Sequence, residues 1–117
     1  MKRIDPQNSL KELPCSVCAV ASALDGVLPE DTDFYISKLK DNGYASLTLA
    51  NAYICNHLKV KRRDSFKRGL RPKLKNLHFG GRAIVCVYGH YIYLDHEDYW
   101  SFYNNEDDEV VAVWELK

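Results

Sequence analysis

Two apolar runs decide the fold: Arg82-Ala83-Ile84-Val85-Cys86-Val87-Tyr88 and, across Gly89, His90-Tyr91-Ile92-Tyr93-Leu94. Each is rich in β-branched and aromatic residues, and each is short enough to be a strand rather than a helix. Gly80-Gly81 precedes the first run, and Asp and Asn residues follow the second. Two further runs, Tyr99 to Tyr103 and Glu109 to Leu116, repeat the composition. Four runs separated by turn residues predict hairpin-linked strands in an antiparallel sheet.

Upstream of the strands the periodicity changes. Pro14 suits the first turn of a helix, and Cys15 to Leu24 is rich in Ala and other small residues until Asp25-Gly26 ends it. Asp31 or Thr32 is placed to cap a second helix through Lys40, closed by Asn42-Gly43. Ser46 is placed to cap a third, in which Leu47, Ala50, Ile54 and Leu58 form an apolar stripe. Residues 1–13 read as an extended lead-in, and the basic region 59–76, with Gly69 and Pro72, reads as a loop or hairpin arm. Helices first and strands last predict an α+β domain over residues 1–117, its N-terminal helices packed on a C-terminal antiparallel sheet.

The chain has 117 residues, 46% of them apolar, which suits one folded core and excludes a disordered tract. Lys+Arg and Asp+Glu balance at 16 each, but unevenly along the chain. Nine basic residues and one acid lie between Lys59 and Lys75, whereas eight acids and one Lys lie from Asp95 onward. That asymmetry predicts a basic surface and an acidic one. No run approaches the roughly 18–20 apolar residues that cross a bilayer. No apolar stretch follows the charges of Met1-Lys2-Arg3, so a cytoplasmic location is expected, with Cys15, Cys18, Cys55 and Cys86 as thiols rather than disulfides.

Two motifs carry chemistry. Cys15-Ser16-Val17-Cys18-Ala19-Val20-Ala21-Ser22-Ala23-Leu24 puts a cysteine at a helix start, where the helix dipole favours the thiolate. Gly89-His90-Tyr91, followed by Tyr99-Trp100-Ser101-Phe102-Tyr103-Asn104-Asn105, puts a histidine at a strand start and amides beyond the next strand. A thiol nucleophile needs a base to take its proton and a group to orient that base.

The cysteine helix resembles the nucleophile helix of small papain-like domains of phages and bacteria, and is similar to bacteriocin-processing peptidase domains. The Gly-His-Tyr run and the aromatic pair after it resemble the histidine box of papain-like enzymes, including ubiquitin-specific proteases. The resemblance implies a papain-like fold and a thiol hydrolase that needs no cofactor and acts on a peptide, isopeptide or related amide bond. It implies Cys15 as nucleophile, His90 as base and Asn104 as the orienting group, with Asn105 or Asp107 as alternatives to Asn104. A second alignment, to the cathepsin helix, picks Cys18 as the nucleophile. The chain departs from the papain-like pattern in having no Gln about six residues before Cys15, which leaves two expectations: an oxyanion site made by the Cys15 N–H with Gln7 or Asn8, or an incomplete one in a domain that binds peptides without cutting them.

Two rival readings rest on the residues themselves. Cys15 and Cys18, with Cys55 and His57, have a spacing that zinc can use. Lys59, Lys61, Arg62, Arg63, Lys67 and Arg68 could dock an acidic protein or a nucleic acid, with or without catalysis elsewhere.

Overall fold

The computed structural model describes residues 1–117. Three helices, α1 (Cys15–Ala23), α2 (Thr32–Asn42) and α3 (Leu47–His57), pack on one face of a six-stranded sheet. The strands are β1 (Lys2–Ile4), β2 (Val60–Ser65), β3 (Arg82–Val87), β4 (His90–Asp95), β5 (Asp98–Trp100) and β6 (Val110–Leu116), in the spatial order β1-β5-β4-β3-β6-β2. The chain is therefore α+β, as the switch from helical to strand periodicity predicts. No helix is long and apolar enough to cross a membrane.

Alternation along the central strands builds two apolar layers. Ile84, Cys86, Tyr91, Tyr93, Ala112 and Trp114 face the helices, where Val17, Val20, Leu39 and Ile54 meet them. Ala83, Val85, Val87, Ile92, Leu94 and Val113 face the other way and are covered by Leu74, with Phe66, Leu77 and Phe79 beside it. Segment 66–79, which carries much of the basic charge, thus doubles as a lid on the second face. Trp114 is fully buried, and its indole N–H donates to Asn51 Oδ1 on α3 at 2.8 Å.

Four expectations change. The sheet is mixed rather than antiparallel, because β1 pairs in parallel with β5, and residues 1–13 hold this strand and a 3₁₀ turn (Asn8–Leu10) instead of a plain lead-in. Region 59–76 is a loop only in part: Val60–Ser65 form β2, which pairs antiparallel with β6 at the sheet edge. Its apolar alternation is hidden because an edge strand tolerates charge. The strand expected over Tyr99–Tyr103 ends at Trp100. There the Tyr103 N–H donates to Ser101 Oγ at 3.1 Å, a side-chain bond that turns the chain.

The expected separation of charge is also reduced by the fold. β2 lies beside β6, so Lys61 and Arg62 stand 3.7 and 3.6 Å from the Glu115 carboxylate. Lys75 pairs with Asp107 at 2.8 Å. Lys59, Lys67 and Arg68 join no ion pair.

Candidate active site

Pro14 stands immediately before α1 with an extended backbone and offers no side-chain cap, so the first N–H groups of the helix have no side-chain acceptor. Cys15 is the first helical residue. Its sulfur faces the backbone N–H groups of Tyr91, Ser16 and Cys15 itself, which favour a thiolate, but burial outweighs them and pushes the thiol up. Cys18, one turn on, is more enclosed, and burial pushes its thiol up to about 11. The helix is tied down beside Cys15. Ser16 Oγ and Tyr35 OH share a hydrogen bond of 2.7 Å, and Tyr35 stacks on Tyr53 at 3.9 Å between ring centres.

His90 begins β4, one residue before the Tyr91 amide that faces Cys15. Its Nε2 lies 3.1 Å from Ser101 Oγ, and Tyr103 stands edge-on to the ring at 5.7 Å. The proton on this ring follows from counting donors. Asp108 Oδ2 accepts from Asn105 Nδ2 at 2.7 Å, which fixes the amide with Oδ1 toward Ser101. The Ser101 hydroxyl has one proton, and it goes to Asn105 Oδ1 at 2.6 Å. Ser101 Oγ can then only accept, so His90 Nε2 is the N–H donor. In the neutral ring, Nδ1 is left with its lone pair.

Nδ1 makes no hydrogen bond and is not among the fully enclosed side-chain atoms that lack one, so it reaches solvent. Burial holds the His90 imidazole below its ordinary value. Cys15 and His90 line one cavity of about 730 Å³, with Leu10, Leu13, Trp100 and Phe102 as apolar wall and Asn8 and Lys11 among its polar residues. No hydrogen bond joins Cys15 to His90.

The structure thus brings two of the three expected groups to one cavity and turns the third aside. Asn104 Oδ1 accepts from the Tyr99 hydroxyl at 3.4 Å and the Glu106 N–H at 3.0 Å and does not reach His90. Asp107 pairs with Lys75. Asn105 acts on His90 through Ser101. Gln7 donates to the Asp25 carbonyl at 3.3 Å and lies against Gly26, away from Cys15, whereas Asn8 stays at the cavity. Ser101 and Asp108 were not expected from the sequence. Ser101 had a signal: it is the one residue without a ring in Tyr99–Tyr103, and a small polar group within an aromatic run needs a partner.

The zinc set is not assembled. No three His, Cys, Asp or Glu side chains converge where they could hold a metal ion. Cys55 is exposed and donates to Asn51 Oδ1 at 3.8 Å, while His57 lies 2.7 Å from Asp31 and edge-on to Tyr53.

No family model, curated protein or solved structure matches the chain.

Proposed function

We propose that the protein is a papain-like thiol hydrolase acting on a peptide, isopeptide or related amide bond, with Cys15 as nucleophile and His90 as base and then acid. Ser101 replaces Asn104 as the group that orients His90, backed by Asn105 and Asp108. The observation that carries this reading is the proton count around Ser101. It leaves a free lone pair on Nδ1 of a ring that lines the cavity Cys15 shares.

Both groups rest neutral, since burial raises the thiol and lowers the imidazole. Proton transfer therefore accompanies attack. The Cys15 sulfur forms a bond to the carbonyl carbon as its proton passes to Nδ1. The proton then goes to the leaving nitrogen as the C–N bond breaks, and water, activated by the same ring, cleaves the thioester. Hydrogen bonds loose in a free site tighten when substrate arrives. The first N–H groups of α1 lie beside the sulfur and suit a developing oxyanion, with Asn8 as the side-chain candidate. Free thiols suit a reducing compartment such as the cytoplasm.

The test is p-nitrophenyl acetate, an activated ester small enough for any cavity. The expected outcome is a burst of nitrophenol with one acetyl group on Cys15, located by mass spectrometry, and a burst ~10²–10⁴-fold slower in His90→Ala. Acetylation spread over Cys55 and lysines at equal rates in both proteins overturns the reading.

A second reading has one observation in its favour. Lys59, Lys67 and Arg68 are exposed and join no ion pair, so a binding role for the 59–75 segment stands beside or instead of catalysis. Binding of an acidic peptide or RNA that weakens with salt and with Lys67→Ala/Arg68→Ala, in a protein that fails the ester test, supports it.

A further inference from the structure

The hydrolase reading uses Cys15 and leaves the Cys-x-x-Cys spacing of Cys15 and Cys18 unexplained. Both thiols lie in the first turn and a half of α1, both line the same cavity, and both are free. A three-residue step on an α-helix advances ~4.5 Å and returns near the same face, which puts the two Cα atoms ~5 Å apart. Disulfides span Cα separations of about 4.4–6.8 Å. The remaining adjustment falls on the residue best able to make it. Cys15 is the first helical residue, and its N–H has no partner in the helix to lose. The other two cysteines are engaged elsewhere. Cys86 donates to the Val87 carbonyl from within β3, and Cys55 sits exposed on α3 with Asn51.

We propose that Cys15 and Cys18 form a reversible intramolecular disulfide, a modification site that responds to low-molecular-weight disulfides of the glutathione class. The electrons balance in two exchanges. Cys15, the more exposed thiol, loses its proton and attacks one sulfur of the oxidant. The oxidant's S–S bond breaks, one thiol leaves, and a mixed disulfide stays on Cys15. Cys18 then loses its proton and attacks the Cys15 sulfur, the mixed bond breaks, and a second thiol leaves. Two protein thiols have been oxidised, and one small disulfide has been reduced to two thiols.

The disulfide itself is independent of the hydrolase reading. Its consequence rests on that reading: oxidation removes the nucleophile and so turns the site off, and reduction restores it.

The experiment incubates the full chain with graded ratios of oxidised to reduced glutathione, caps remaining thiols with N-ethylmaleimide, and maps all four cysteines by mass spectrometry. The expected product has Cys15 and Cys18 joined within one tryptic peptide, with Cys86 capped by maleimide. In Cys18→Ala the resolving thiol is gone, and glutathione accumulates on Cys15. A Cys15–Cys86 link, glutathione persisting on Cys15 in the unmodified chain, or both thiols still free in excess oxidant overturns the proposal. The ester burst, read on the same samples, separates the two ideas. A protein that forms the disulfide but never acylates Cys15, even when reduced, retains the modification site and loses the hydrolase.

Discussion

Ser101 has one hydroxyl proton and three neighbours, and the neighbours differ in what they accept. Asn105 Oδ1 takes the proton, and the Tyr103 N–H and His90 Nε2 supply theirs. Ser101→Ala removes the acceptor for both, and Ser101→Thr restores it. We expect Cys15 acetylation to slow about tenfold or more in Ser101→Ala, on the scale of one lost hydrogen bond, and to recover in Ser101→Thr. A merely structural serine gives equal losses in both. The pH dependence has a definite sign. The proposed reaction starts with His90 neutral and Cys15 protonated. The acid limb of the rate falls below the ordinary imidazole value of 6.5, because burial lowers His90. Ionisation of the Cys15 thiol lies above its ordinary value of 9.0, because burial raises it, and there acetylation climbs again as thiolate forms. The rate–pH profile should therefore hold a plateau wider than the interval between those values, and a plateau narrower than it contradicts the neutral pair. At this scale the sequence disclosed the places of Cys15 and His90 in the fold, because helix start and strand start are local features. It could not disclose Ser101 over Asn104, since that choice depends on where β5 ends.

Gly26 shows at the scale of elements what closes α1. Its φ of +88° lies in the left-handed region, and a Cβ there would meet the Gln7 side chain. Gly26→Ala should cost ~1–2 kcal/mol in chemical denaturation, from backbone strain and a displaced Gln7; an unchanged midpoint contradicts this account of the turn. Trp114 couples β6 to α3. Trp114→Phe keeps most of the buried surface but removes the donor to Asn51, and we expect a loss of ~1–2 kcal/mol that Asn51→Leu in the same chain partly offsets. The helices were legible because Ser46 does cap α3, accepting from the Leu49 N–H, and the apolar stripe of that helix is regular. β2 was not legible. Its charges read as loop, but Lys61 and Arg62 lie beside Glu115, and the Arg63 guanidinium lies 5.2 Å from the Trp114 ring centre. Those partners come from the far end of the chain. β1 was hidden for a similar reason, since a three-residue parallel pairing has no hairpin to announce it.

Across the whole molecule, the linear segregation of charge is reduced by folding, because β2 and β6 are sheet neighbours and Lys75 reaches Asp107. The Lys75–Asp107 pair is exposed, so Asp107→Asn should leave the denaturation midpoint nearly unchanged. Buried thiols matter more at high pH. Cys18 and Cys86 are pushed from 9.0 up to about 11 by burial. The unfolded chain thus ionises them first, and stability should fall as pH rises from about 9 to about 11. A flat denaturation midpoint over that range contradicts their burial. The most direct test of the site as a whole is the protonation of one ring. Nitrogen-15 NMR of the His90 imidazole, at a pH where it is neutral, reports which nitrogen bears hydrogen. We predict hydrogen on Nε2 and a bare Nδ1, with the preference weakened in Ser101→Ala. A ring protonated on Nδ1 in the unmodified chain takes away the free lone pair on which the proposed base role rests and contradicts the account.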